Sequence, residues 1–173
     1  PENFFSWNKV VNGEVIGTVG YAPVDKTNDA INWIAEQEDN PWFLWFALNL
    51  PHTPLHLSPE EHWQSDYSHL GRNSVPSYDN PDYFQSMLEA MDTQIGRVLD
   101  SLSAEVRANT YVIFMGDNGT AATVISPPFS PAKSKGSVFQ GGINVPLIIT
   151  GPDVPNGVSD ALVNSTDLFT TIM

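Results

Sequence analysis

Three short apolar runs most constrain what this chain can fold into: "WFLWFALNL" (Trp42–Leu50), "TYVIFM" (Thr110–Met115) and "NVPLIIT" (Asn144–Thr150). Each is nearly unbroken and closed by a turn residue, which suits a strand buried on both faces, as in a parallel sheet covered by helices. Pro146 fits only near the start of its strand or at a bulge. Between the runs the period changes. "DKTNDAINWIAEQ" sets Ala30, Ile31, Ile34 and Ala35 on one stripe, with Asp25 as the expected N-cap. A stronger helix begins at Asn80-Pro81-Asp82, which supply a cap, a first-turn proline and an early acid. Its apolar positions, Phe84, Met87, Leu88, Met91, Ile95, Val98, Leu99 and Leu102, follow a helical period with one buried face. Helix, strand, helix, strand, strand, helix predicts an α/β domain with a mostly parallel sheet flanked by helices.

In such a sheet, ligands sit beyond the carboxyl ends of the strands. Two stretches qualify: "LPHTPLH" after the first run and "GDNG" after the second. Residues 51–79 make a long connection, with one short helix expected at Ser58-Pro59-Glu60-Glu61. Its aromatics Trp63, Tyr67 and Tyr78 either line a ligand or, more ordinarily, pack the loop down.

Charge excludes some functions. With 20 acidic and 7 basic residues the formal charge is −13, which opposes nucleic-acid binding through phosphate neutralisation and disfavours anionic membranes. Most of that acidity reads as a solubility device. Cysteine is absent, so neither disulfides, thiolate metal sites nor a cysteine nucleophile exist in these residues. No apolar run is long enough to span a membrane.

Asp117 and Asn118 offer adjacent hard oxygen donors, suited to Ca²⁺ or Mg²⁺, and Gly119 permits a sharp turn or a close approach. The plainer alternative is a hairpin, with Asn-Gly as its tip. His52 is either a surface histidine or a proton shuttle at a strand end. His56, His62 and His69 share its loop without metal-ligand spacing and read as structural or solvent-facing. Lys133 and Lys135 are either solvated or form a point-charge clamp for an anion.

In order, "PHTPLH", "NTYVIFMGDNGT", "KGSVFQGGINVPLIITGP" and "ALVNSTDLFTTI" resemble the later part of the catalytic domain of sulfatases, members of the alkaline-phosphatase superfamily. The resemblance runs from about Tyr21 to Met173. It implies an incomplete three-layer sulfatase-like sandwich, with residues 1–173 as a partial catalytic domain. By position, Asp117 and Asn118 would be oxygen ligands of the catalytic calcium. His52 would contact the sulfate and help protonate the departing alcohol, and Lys135 would bind the sulfate and leaving oxygen. Lys133 has no counterpart. Gln140 stands where the family usually has Glu, and Asn144 where it often has Arg.

The family nucleophile, a Cys or Ser in Cys/Ser-x-Pro-x-Arg converted to formylglycine, has no match here. The paired aspartates that complete the calcium site and the smaller C-terminal subdomain also have none. The expectation is therefore a piece of an enzyme hydrolysing carbohydrate or aryl sulfate esters, inactive alone and able to self-associate through exposed sheet edges. The alternatives are a phosphodiesterase or phosphonate hydrolase of the same superfamily, or a non-catalytic module. Full-length relatives of this kind are commonly exported, which suggests a periplasmic or secreted parent.

Overall fold

A computed structural model of the chain describes residues 4–71 and 81–173. The capping residue expected at Asn80, and Tyr78, lie outside the described residues. The α/β class holds: helices lie beside small sheets. Strands β1 (Ser6–Val11) and β2 (Glu14–Val19) form an antiparallel hairpin, Ser6 opposite Val19 and Val11 opposite Glu14. Its turn is Asn12-Gly13, both at positive φ (51° and 88°), the backbone that a two-residue hairpin needs.

Helix α1 (Ala22–Glu36) starts four residues earlier than expected. Tyr21 occupies its cap position, a proline follows in the first turn, and Asp25 lies inside that turn. There Asp25 accepts a 2.8 Å bond from Lys9, which also pairs with Asp29, so the hairpin is pinned to the helix. Helix α2 (Pro81–Asp100) packs against α1, and Arg97 Nη2 donates to Asn28 Oδ1 at 2.6 Å across the pair. Its most buried face runs Tyr83, Met87, Ala90, Gln94, while Phe84, Leu88, Met91 and Ile95 of the expected stripe are only half-buried.

After α3 (Ala104–Ala108) come β3 (Val112–Met115), α4 (Gln140–Ile143), β4 (Leu147–Thr150) and α5 (Asp167–Ile172). Strands β3 and β4 pair antiparallel, Val112 opposite Thr150 and Met115 opposite Leu147. Both ladders among the described residues are thus antiparallel, where the apolar runs had suggested parallel pairing. The reason is the connection: no long crossover helix separates β3 from β4, and α4 returns the chain to the end at which β3 left.

A second correction concerns residues 42–50. They carry strand-like alternation of burial, yet form no ladder among the described residues. Alternation reports a pleat; a strand also needs a partner.

The core gathers Tyr21, Leu50, Leu55, Leu57, Tyr67, Tyr83 and Met87 around α1, α2 and the connection between them. Among its described residues that connection contains a 3₁₀ turn, Glu60–His62, where a short helix was expected. Tyr67, 3% exposed, packs into the core, and Trp63 packs against it while donating to Ser58 O at 2.9 Å. For Trp63 and Tyr67 the ordinary reading is correct. Among the described residues no helix is long and apolar enough to cross a membrane.

Candidate active site

Strand β3 ends at Met115 and delivers Gly116, Asp117 and Asn118 to the sheet rim, where Gly116 N–H still donates to Pro146 O at 3.1 Å. The next residues do not fold back as a strand, because β3 takes β4 as its partner. Asp117-Asn118-Gly119 is therefore not the tip of a hairpin. Instead Gly119 N–H donates to Gly142 O at 3.0 Å, and Lys135 N–H donates to Thr120 O at 2.9 Å. Two backbone bonds thus join the Asp-Asn turn to the glycine pair and to the lysine loop.

Side chains are excluded from this junction. A Cβ on Gly119 would meet Gly141 O at 2.1 Å, and one on Gly142 would meet Ser137 O at 2.2 Å. Close backbone approach, rather than a left-handed turn, is what fixes glycine at 119 and 142.

Three polar side chains rim the junction. Asp117 and Lys135 are exposed, Asn118 is half-buried, and none makes a hydrogen bond or ion pair among the described residues. Lys133 differs: its ammonium sits 4.7 Å from the centre of the Phe139 ring, a cation–π contact that occupies it. The structure thus separates the two lysines that spacing alone left equivalent.

His52 is presented by a different element. Buried Leu50 and Leu55 anchor the turn from both sides, each worth about 2 kcal/mol of burial, while His52 between them is exposed. Its Nδ1–H donates to Thr53 O at 2.9 Å. That bond fixes the tautomer and leaves Nε2 as the position that exchanges a proton. Among the described residues no hydrogen bond or ion pair links His52 to Asp117, Asn118 or Lys135. The two regions meet through packing, since Val124 of the loop after Asn118 contacts the core that holds Leu50 and Leu55.

As a calcium site the chain is suited in kind and short in number. Asp117 and Asn118 are hard oxygen donors, but among the described residues no three His, Asp or Glu side chains gather closely enough to hold a metal.

Sequence reasoning missed two supports. Buried Glu89 accepts from Ser65 Oγ (2.7 Å) and Tyr67 Oη (2.8 Å) at Oε1, and from the N–H groups of Gln64 (2.6 Å) and Ser65 (3.1 Å) at Oε2. Burial alone would raise its pKa, but these four donors outweigh burial and hold it down to about 2. Glu89 so clamps the long connection onto α2, and an acid inside a helical stripe gives no sequence signal for that. The second is Tyr21, whose hydroxyl donates to His56 Nε2 at 3.1 Å while His56 Nδ1–H donates to Pro54 O at 3.0 Å. His56 is thereby structural, and burial lowers its pKa.

A model of the sulfatase family matches residues 6–173. The chain belongs to the sulfatase family. Relatives include the inner membrane protein YejM of Salmonella typhimurium, 30% identical over 83% of this chain and 20% of that protein. The N-acetylgalactosamine-6-sulfatase of Sus scrofa is 30% identical over 83% of this chain and 26% of its own length. Among solved structures, the crystal structure of Ps i-CgsB superimposes with a TM-score of 0.65 at 26% identity, covering 82% of this chain and 30% of that one. The same protein has been crystallised in complex with k-i-k-neocarrahexaose. The chain therefore spans about a fifth to a third of the length of the proteins it matches.

Proposed function

We propose that this sulfatase-family chain supplies the anion clamp, the proton donor and two metal ligands of a site that hydrolyses sulfate esters of carbohydrate or aryl alcohols. The observation that carries the reading is the glycine-lined junction joining the Asp117-Asn118 turn to the Lys135 loop, with the three side chains unpaired among the described residues. An ammonium and oxygen donors held on one rigid backbone unit can stabilise charge on a transferring anion without reorganising. Lys135 would bind the sulfate and the leaving oxygen. His52 Nε2, its ring held through Nδ1, would give that oxygen its proton. Asp117 and Asn118 would hold a calcium ion, which when bound supplies positive charge against the ester oxygens.

The nucleophile, formylglycine in this family, and the remaining calcium ligands would come from residues outside these 173, making the chain one part of a larger catalytic domain. A carbohydrate ester is favoured by the neocarrahexaose bound to the structural relative. The unladdered run at 42–50 supports a further proposal, that the isolated chain self-associates through its sheet edges.

The test is kinetic. In a full-length sulfatase carrying this segment, His52→Ala and Lys135→Ala should each lower kcat/KM on a sulfate ester by about 10²–10⁴. Changes below threefold would refute their roles, and faster turnover of a phosphate diester than of the sulfate ester would favour the phosphodiesterase reading.

A further inference from the structure

Beside His52 lies an open cavity of about 520 Å³, between the β1–β2 hairpin, the first turns of α1 and the turn at residues 49–54. Its size falls within the range of small-molecule sites. Trp7, Lys26 and Asn49 line it together with His52. Their chemistry is mixed in a particular way. Trp7 is half-buried, and its indole Nε1–H is buried without a hydrogen-bond partner among the described residues. The Asn49 amide makes no hydrogen bond among the described residues, although its backbone carbonyl accepts from His52 N–H. Lys26 donates to Ala47 O at 3.3 Å and keeps two further donors. Lys9, the other cation on the wall, is already matched by Asp25 and Asp29. Of the two lysines on the wall, Lys26 is thus the one with donors left for a ligand.

An aromatic face, an amide and spare ammonium donors suit a neutral polyhydroxylated ring. Sugar C–H groups lie on the indole, and hydroxyls take the polar partners. We propose that this cavity receives the sugar ring bearing the leaving oxygen, with Trp7 as its platform and Asn49 and Lys26 reading its hydroxyls. The inference rests on the reading of His52 as proton donor: a group that protonates the departing alcohol must adjoin the space that alcohol occupies. It adds Trp7, Asn49 and Lys26 as specificity-determining residues, from the hairpin, the turn that carries His52 and helix α1.

The indole N–H resonance of Trp7 reads the site in the 173-residue chain. Titrants would be unsulfated and monosulfated disaccharides built on galactose, N-acetylgalactosamine and glucose, with inorganic sulfate and 4-nitrophenyl sulfate as comparisons. At least one unsulfated disaccharide should shift the signal saturably, with inorganic sulfate leaving it in place. Asn49→Ala should weaken that binding about threefold. Trp7→Ala should abolish it in ring-proton saturation transfer, with Trp7→Phe, which keeps the platform and the hairpin, retaining it at about threefold lower affinity. Lys135→Ala should remove the gain in affinity that sulfation brings. Absence of that gain with the Trp7 response intact would fault the proposed clamp and not the cavity. A Trp7 signal indifferent to every disaccharide, or moved by inorganic sulfate or only by the nitrophenyl ester, would overturn the cavity's assignment.

Discussion

His62 is 8% exposed, stacks on Tyr21 at 6.0 Å between ring centres, and bonds through neither ring nitrogen among the described residues. Burial lowers its pKa, Glu61 opposes that and Arg97 adds to it. The unfolded chain thus takes up a proton near pH 6.5 that the folded chain resists. Stability contributed by the neutral ring is complete above that pH and falls as pH drops below it toward the depressed folded value. His56, half-buried and similarly lowered, acts in the same direction. Since His62 makes no bond, a leucine of similar bulk loses little: His62→Leu should leave Tm at pH 7.5 within about 3 °C, a change below about 1 kcal/mol. It should also flatten the loss of Tm between pH 6.5 and 5. A drop exceeding 8 °C at pH 7.5 would mean that the imidazole holds a partner, such as a buried water.

Among the elements, the run at 42–50 has the most unfinished bonding. Phe43 (62% exposed) and Trp45 (71%) project to solvent, and no backbone hydrogen bond reaches residues 41–48 among those described. Ala47 O takes only the Lys26 ammonium. An apolar strand with both edges open pairs with another chain where it can. The −13 charge opposes this, so association should strengthen with salt. Light scattering should give a mass above the 19.0 kDa monomer at 0.3 M salt, and Trp45→Lys should return it toward the monomer. A clean monomer across concentration and salt would sink the proposal.

The same run shows what sequence could and could not reveal. Apolar patterning identified the extended character of 42–50 and the strands at β3 and β4, because burial writes itself into residue type. Pairing partners did not show, because they depend on how far the connecting chain can cross. The β1–β2 hairpin was legible in Asn12-Gly13 and went unread. An ordered set of motifs singles out residues 117, 118 and 135 as candidates. Their junction depends on backbone contacts at Gly119 and Gly142 that no pattern of side chains encodes.

On the scale of the whole chain, the core sits around α1, α2 and their connection, while the β3–β4 pair and α5 keep exposed apolar groups such as Ile148 and Phe169. The proposed metal ligands hang from that less-covered half. Calcium usually takes six to eight oxygens, and sites of the weakest modules bind at 10⁻⁴–10⁻³ M. Asp117 and Asn118 supply two side chains, with no third acid or histidine gathered beside them among the described residues. General attraction of cations to a −13 chain would mimic weak binding, but it is a screened interaction and fades at 0.15 M salt. Calorimetry at that ionic strength should therefore detect no site tighter than about 1 mM, and Asp117→Ala should change nothing. Micromolar binding abolished by that substitution would mean that backbone carbonyls of the glycine junction complete the coordination, and that the chain carries a whole metal site rather than two of its ligands.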